Sequence, residues 1–188
     1  MINYVFLGVD GCGKSTIINS LKKKLSKNFN SKVTIFHLYP RKTSNVVIKN
    51  PHHKTTRSHL FSFLKLIYFL IIFYLYKIFI YQKNEIILFD RHPIDILADP
   101  LRYRFNLNKS ITSQILNYFP KINIIFFIRV QPDVAHFRKK ETSLEKLHEI
   151  HQNYLALSNE YIIKQIDNEI IENAVDEIIK FINLEVNV

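Results

Sequence analysis

Glycine is nearly absent from this chain. Of 188 residues only three are glycine, namely Gly8, Gly11 and Gly13, and all fall within six positions. Glycine lets a backbone enter φ > 0 and approach a ligand closely. A chain that keeps none elsewhere has placed that freedom at one point. The stretch Gly8-Val9-Asp10-Gly11-Cys12-Gly13-Lys14-Ser15-Thr16 fits G-x-x-x-x-G-K-[ST]. In such a loop the backbone N–H groups face the α- and β-phosphates of a nucleotide. The lysine reaches the β/γ oxygens and the Ser15 hydroxyl takes Mg²⁺.

Cysteine is equally scarce. Cys12 is the single one, which excludes an intramolecular disulfide and fits a reducing compartment. Its place in the loop makes it a candidate for thiol reagents, with nucleotide protecting it. Acidic residues are few: 16 against 26 lysines and arginines, a formal net charge of +10. That balance favours an acidic partner such as a nucleotide, a nucleic acid or an anionic membrane. No base-reading motif accompanies it, which argues against nucleic acid. His52 and His53 stand without a Cys/His/Asp cluster, which argues against a metal there. Met1–Leu7 leads directly into the loop, so no signal peptide is expected.

Apolar residues make up 47%, enough for one domain over residues 1–188 with a real core. Short Ile/Val/Phe runs alternate with helical patterns, as in a parallel α/β sheet covered on both faces. The patterns predict strands at 2–7, 33–37, 85–89, 122–128 and 161–166. Helices are predicted near 15–25, 58–82, 111–118, 132–139, 143–159 and 172–184. Pro132 suits a first helical turn, and Thr142-x-x-Glu145 reads as a capping box. Residues 38–57 read as loop, broken by Pro40, Asn45, Asn50 and Pro51.

Residues 60–81 are apolar or aromatic almost throughout, long enough for a membrane span. A crossing would put the first and third strands on opposite sides of a membrane, although both must join one sheet. Lys65 and Lys77 also leave only eleven uncharged residues between them, about 17 Å of helix. The expectation is a long helix, one arc on the sheet and the rest against a second subunit. A membrane surface or burial within the chain is the alternative. Phe69, Ile72, Phe73, Tyr76 and Phe79 are the expected interface residues.

Glu85-Ile86-Ile87-Leu88-Phe89-Asp90-Arg91 is a strand ending in an acid and a base. Ligands of open parallel sheets bind beyond the carboxyl ends of the strands. Asp90 either holds Mg²⁺ or takes the proton of an attacking hydroxyl, and Arg91 can clamp phosphate.

Phe6–Thr16 resembles the phosphate-loop signature of the thymidylate kinases, Phe89-Asp90-Arg91-His92 their D-R-Y/H motif, and Val130–Glu141 their run into a basic lid. The resemblance implies a P-loop NTPase of the nucleoside-monophosphate-kinase type: α/β, a five-stranded parallel sheet in the order 2-3-1-4-5, a short mobile lid over residues 136–146, and a homodimer. It implies an ATP-dependent, cytoplasmic phosphotransferase, with dTMP as the first acceptor. Where that family carries R-E-P-x-G-[ST], this chain reads Tyr39-Pro40-Arg41-Lys42-Thr43-Ser44. After D-R it reads Pro93–Arg104 rather than an A-Y-Q-like stretch. That variant also resembles thymidylate-kinase-like proteins of surface-polysaccharide synthesis, so a sugar or sugar phosphate is the alternative acceptor. Acceptor binding is expected over residues 38–60 and 92–108.

The expected roles follow. ATP·Mg²⁺ lies on Gly8, Asp10, Gly11, Cys12, Gly13, Lys14, Ser15 and Thr16, with the ion on Ser15 and Asp90. Lys14, Asp90, Arg91 and Arg138 are the catalytic candidates. The phosphate loop holds no arginine, so the charge on the transferring group falls to the lid, to Arg138 with Lys139 or Lys140; such an arginine is worth a factor of about 10³ or more. Asp10, Arg41, Arg91, Asp95, Arg102 and Arg104 are candidates for a small anionic acceptor, and Asp99 is an alternative to Asp95. A GTPase would need N-K-x-D, and Asn108-Lys109-Ser110-Ile111 lacks the acid. A catalytically idle nucleotide-binding scaffold at the inner face of a membrane is the remaining rival.

Overall fold

The computed structural model describes residues 2–28, 32–38, 55–79 and 85–186. Arg41, His52, His53 and most of the first acceptor region lie outside the described residues. Five strands form one sheet: β1 (Ile2–Leu7), β2 (Lys32–His37), β3 (Glu85–Asp90), β4 (Ile124–Arg129) and β5 (Ile163–Asp167). Their order is β2-β3-β1-β4-β5, and every neighbouring pair is parallel. The central strand is the most deeply covered, with Tyr4, Val5, Phe6 and Leu7 fully buried. Hence β1 reads as an apolar run without alternation, since both of its faces meet helices.

Among the described residues seven helices surround the sheet: α1 (Lys14–Asn28), α2 (His59–Phe79), α3 (Asp95–Ala98), α4 (Lys109–Leu116), α5 (Pro132–Arg138), α6 (Leu144–Glu160) and α7 (Ile171–Val186). Ile17, Ile18, Leu21 and Leu25 of α1 are buried, the one-face spacing that a helix packed on a sheet requires. Three local expectations change. The single-turn α3, which begins at Asp95, is not among the predicted helices. The last two strands begin two residues later than the apolar run does. Exposed Ile162 belongs to a turn in which the Tyr161 N–H closes α6 on the Leu157 carbonyl. The capping box at Thr142 does not form. Ser143 is the cap, its Oγ accepting from the Lys146 N–H, and Thr142 is buried before it.

The long helix is where sequence and structure differ most. Phe69 and Phe73 are only 2% and 3% exposed. Phe73 stacks on Phe89 and meets Phe36, His92 and Phe119 edge-on. They are core residues, each worth about 2–3 kcal/mol of buried surface, and not the expected interface. Exposed instead are Leu60, Phe61, Leu64, Tyr68, Ile71, Leu75 and Ile78. A helix apolar on all sides gives no hydrophobic asymmetry from which to read its inner arc. Among the described residues nothing covers that outer arc.

Candidate functional site

β1 ends at Leu7 and α1 begins at Lys14, so residues 8–13 form the loop at the carboxyl edge of the sheet. Gly11 and Gly13 both have φ of 84°. Neither tolerates a side chain: a Cβ on Gly11 would lie 2.4 Å from the Ala135 carbonyl oxygen, and one on Gly13 would lie 2.4 Å from Asn168 Nδ2. The loop is thus wedged between α5 and the end of β5. The Gly13 carbonyl accepts from the Thr16 and Ile17 N–H groups, starting α1, whose N-terminus faces the loop with its partial positive charge. Lys14 is 7% exposed, while Ser15 and Thr16 are exposed. Cys12 is buried, its Sγ turned under the loop to 2.8 Å from the Cβ position of Gly8. It packs as a small filler and lacks the exposure that reaction with a thiol reagent requires.

Four side chains form a closed ion network beside the loop. Asp10 accepts from Arg91 Nη2 at 3.0 Å and from Arg102 Nη1. Arg91 Nη1 donates to Asp95 at 2.6 Å. Burial raises the Asp10 carboxyl, yet Arg102 and Arg91, with Lys14 beyond them, outweigh it and hold the group far below the usual carboxylate range. Asp95 is fully buried and also accepts from the Tyr103 hydroxyl at 2.9 Å and the Tyr154 hydroxyl at 2.6 Å. Two carboxylates and two guanidiniums make the cluster neutral. Asp95 therefore faces Arg91 and two tyrosines instead of an acceptor hydroxyl, and Asp10 ties the loop to the segment after β3. Arg91 is buried with φ of 82°, a strained backbone for a side chain of its size. Both of its terminal nitrogens serve carboxylates. Asp99 Oδ1 accepts from the Arg102 N–H.

Asp90 closes β3, and its Oδ2 is 3.1 Å from His37 Nδ1 at the end of β2. The two residues are register partners. Sequence reasoning missed His37, although a polar residue ending an apolar strand is the signal that singled out Asp90. His92, next to this edge, is a core residue: burial pushes it down to about 3, so it stays neutral between Phe73 and Phe119. Ser15 and Asp90 suit Mg²⁺, which takes one or two protein oxygens and completes its shell with phosphate and water. Among the described residues no group of three His, Cys, Asp or Glu side chains could hold a metal by itself.

Two cavities are lined by residues that contact the loop. One, about 390 Å³, is lined by Arg129, Val130, Gln131, Val134, Arg138, Asp167, Asn168 and Glu169. Arg138 ends α5, and its Nη1 is 3.9 Å from the Cβ position of Gly13. Lys139 instead pairs with Glu141 at 2.9 Å. The other cavity, about 690 Å³, has Arg57, Lys65, Arg102 and Arg104 among Phe61, Leu64, Tyr68, Phe69 and Tyr103. Lys65 donates to the Tyr103 carbonyl at 2.8 Å. Burial, with Arg57 and Arg104 nearby, pushes it down to about 8. Arg104 holds the opposite wall by donating to the Thr55 carbonyl at 2.9 Å. Arg57 falls within the expected acceptor region 38–60, whereas Phe61 and Lys65 were not read as site residues, because only the tertiary fold brings α2 over the 100–105 turn.

No family model and no curated protein sequence matches the chain. Solved structures do. A thymidylate kinase from Candida albicans, described as having broad substrate specificity, aligns with a TM-score of 0.68 at 16% identity, covering 99% of this chain and 93% of its own. A thymidylate kinase from Ehrlichia chaffeensis gives 0.60 at 18% identity, with coverage of 97% and 98%. The chain has the thymidylate-kinase fold. A deoxyadenosine kinase from M. mycoides, solved with bound dATP, gives 0.58 at 18% identity over 97% of this chain and 100% of its own. The likeness thus runs the length of the chain and is not confined to the phosphate loop. The same fold carries kinases named for a nucleotide and for a nucleoside, so the acceptor must be argued from the cavities.

Proposed function

We propose that this chain is an ATP-dependent phosphotransferase whose acceptor is a small anion, with dTMP the first candidate. The observation that carries this reading is the pair of cavities. Each shares a contact with the phosphate loop, one through Arg102 on Asp10 and the other through Arg138 and Asn168 at Gly13. In this reading a donor and an acceptor bound in these cavities exchange the phosphoryl group at residues 10–16. The Arg129–Asp167 side takes the nucleoside of ATP and the loop takes its triphosphate. Lys14 balances charge on the β- and γ-phosphates, and Arg138 meets the transferring group. Mg²⁺, held by Ser15 and Asp90, supplies further charge neutralisation when bound.

The larger cavity combines cations with aromatic walls, as a nucleoside monophosphate requires. Arg57, Lys65 and Arg104 attract its phosphate, and Phe61 and Tyr68 offer faces to a base. An oxygen of that phosphate attacks the γ-phosphorus and ADP leaves. The acceptor phosphate needs no strong base, so Asp90 serves the metal, with His37 steadying its carboxylate. The segment between α5 and α6 acts as the lid of a single domain. Ile71, Leu75 and Ile78, exposed on α2 away from that cavity, suit a second copy of the chain, and the single cysteine suits the cytoplasm.

The deciding experiment is ATP consumption across nucleoside monophosphates, deoxynucleosides and sugar phosphates. Turnover on dTMP or a related monophosphate is expected. Turnover confined to sugar phosphates would reassign the acceptor. Tight ATP binding with no turnover on any of them would remove the kinase reading.

A further inference from the structure

Asn168 follows β5, and no motif singled it out. Its N–H donates to the Arg129 carbonyl at 2.9 Å, which fixes it to the end of β4. Its side chain is fully buried and crosses to the phosphate loop, where Nδ2 donates to the Cys12 carbonyl at 2.6 Å. The same Nδ2 occupies the space a Cβ on Gly13 would need. Oδ1 is buried without a hydrogen-bond partner among the described residues. Leaving that oxygen unsatisfied carries a desolvation cost that no bond returns. A group kept at such a cost, where an apolar residue would suffice for packing, has some other duty.

The duty follows from peptide geometry. The Cys12 carbonyl and the Gly13 N–H belong to one planar trans peptide, so they point in opposite directions. Glycine at 13 leaves that peptide free to turn over. In one orientation its N–H faces the anion, and in the other a carbonyl oxygen faces it and repels it. We infer that Asn168 is a positioning residue that holds the Cys12–Gly13 peptide with its N–H aimed into the phosphate cradle. Cys12 is tied from the other side as well, its own N–H donating to the Val9 carbonyl at 3.3 Å. The anchor runs through β4 and β5, so the edge of the sheet that carries the smaller cavity also sets the loop. The inference rests on residues 10–16 holding a polyphosphate.

Inorganic tripolyphosphate is the probe, because it has phosphates and no base. It is titrated into the whole protein by ¹⁵N–¹H NMR, beside ATP. In the wild type the Gly13 N–H resonance should move downfield on binding. Asn168→Ala should weaken tripolyphosphate and ATP alike by about tenfold, the worth of one lost hydrogen bond. Asn168→Asp keeps the shape but sets a carboxylate against the Cys12 carbonyl, and should lose about a hundredfold. KM for the acceptor should stay unchanged in both. Equal tripolyphosphate affinity in Asn168→Asp and wild type overturns the inference, as does loss confined to ATP, which would make Asn168 a contact for the nucleoside. A wild-type Gly13 resonance that stays still while its neighbours move overturns it without any variant. A wild type that binds neither probe removes the phosphate-loop reading and the inference together.

Discussion

Removing the Asp95 carboxylate should come close to unfolding the protein. Asp95 is fully buried and accepts from Arg91, Tyr103 and Tyr154. In Asp95→Ala the buried Arg91 guanidinium loses one of its two carboxylates, and breaking a buried pair in this way costs about 3–5 kcal/mol. The Tyr154 hydroxyl, also buried, loses its acceptor for about 1–3 kcal/mol more. The total of about 4–8 kcal/mol is a large share of the ~5–15 kcal/mol that holds a domain together. With a urea slope of about 2–3 kcal/mol per molar, the unfolding midpoint should fall by about 1.3–4 M. Asp95→Asn keeps the shape and should fall less. The assay is equilibrium urea unfolding of wild type, Asp95→Ala, Arg91→Ala and the double variant. Since the two groups neutralise each other, the double variant should be more stable than the two single losses added together, by about 1 kcal/mol or more. A midpoint shift under about 0.5 M for Asp95→Ala, or simple additivity in the double variant, would refute the network as a unit.

Lys65, at about 8, should make acceptor binding weaken as pH rises through that value. KM for an anionic acceptor should climb by about tenfold once the ammonium is lost, and Lys65→Met should flatten the profile. Stability should move the other way. The folded state gives up this proton more readily than the unfolded chain, so unfolding free energy rises with pH from about 8 toward the ordinary lysine value, and thermal melts across that window check the sign. Arg138→Ala should lower phosphoryl transfer by about 10³, whereas Lys139→Ala and Lys140→Ala should stay within a few-fold in the same single-turnover assay. Ile71→Lys with Leu75→Lys, both on the outer arc of α2, should give a folded monomer by light scattering, while Phe69→Lys should fail to fold. A wild-type monomer in dilute buffer would remove the dimer.

Much of this molecule was determined locally and can be read along the chain. Three glycines before Lys14 can only be a loop that needs φ > 0 and close approach, because glycine alone meets both conditions. Apolar runs of strand length separated by helical periods can only be a sheet covered on both faces. Asp90 and Arg91 followed from a strand that ends in charge. What tertiary structure alone decided is which of these groups face a ligand and which face each other. Asp10, Arg91, Asp95 and Arg102 are separated by up to 92 positions in the chain, and nothing local says that they neutralise one another. The inner arc of α2 was undecided because every arc is apolar; it is chosen by Phe36, Phe89 and Phe119, which come from β2, β3 and the turn after α4. Asn168 lies 156 positions from the carbonyl it holds. A contact of that separation leaves no trace in spacing or periodicity, since it exists only once the parallel crossovers have brought the carboxyl ends of β1 and β5 to the same edge.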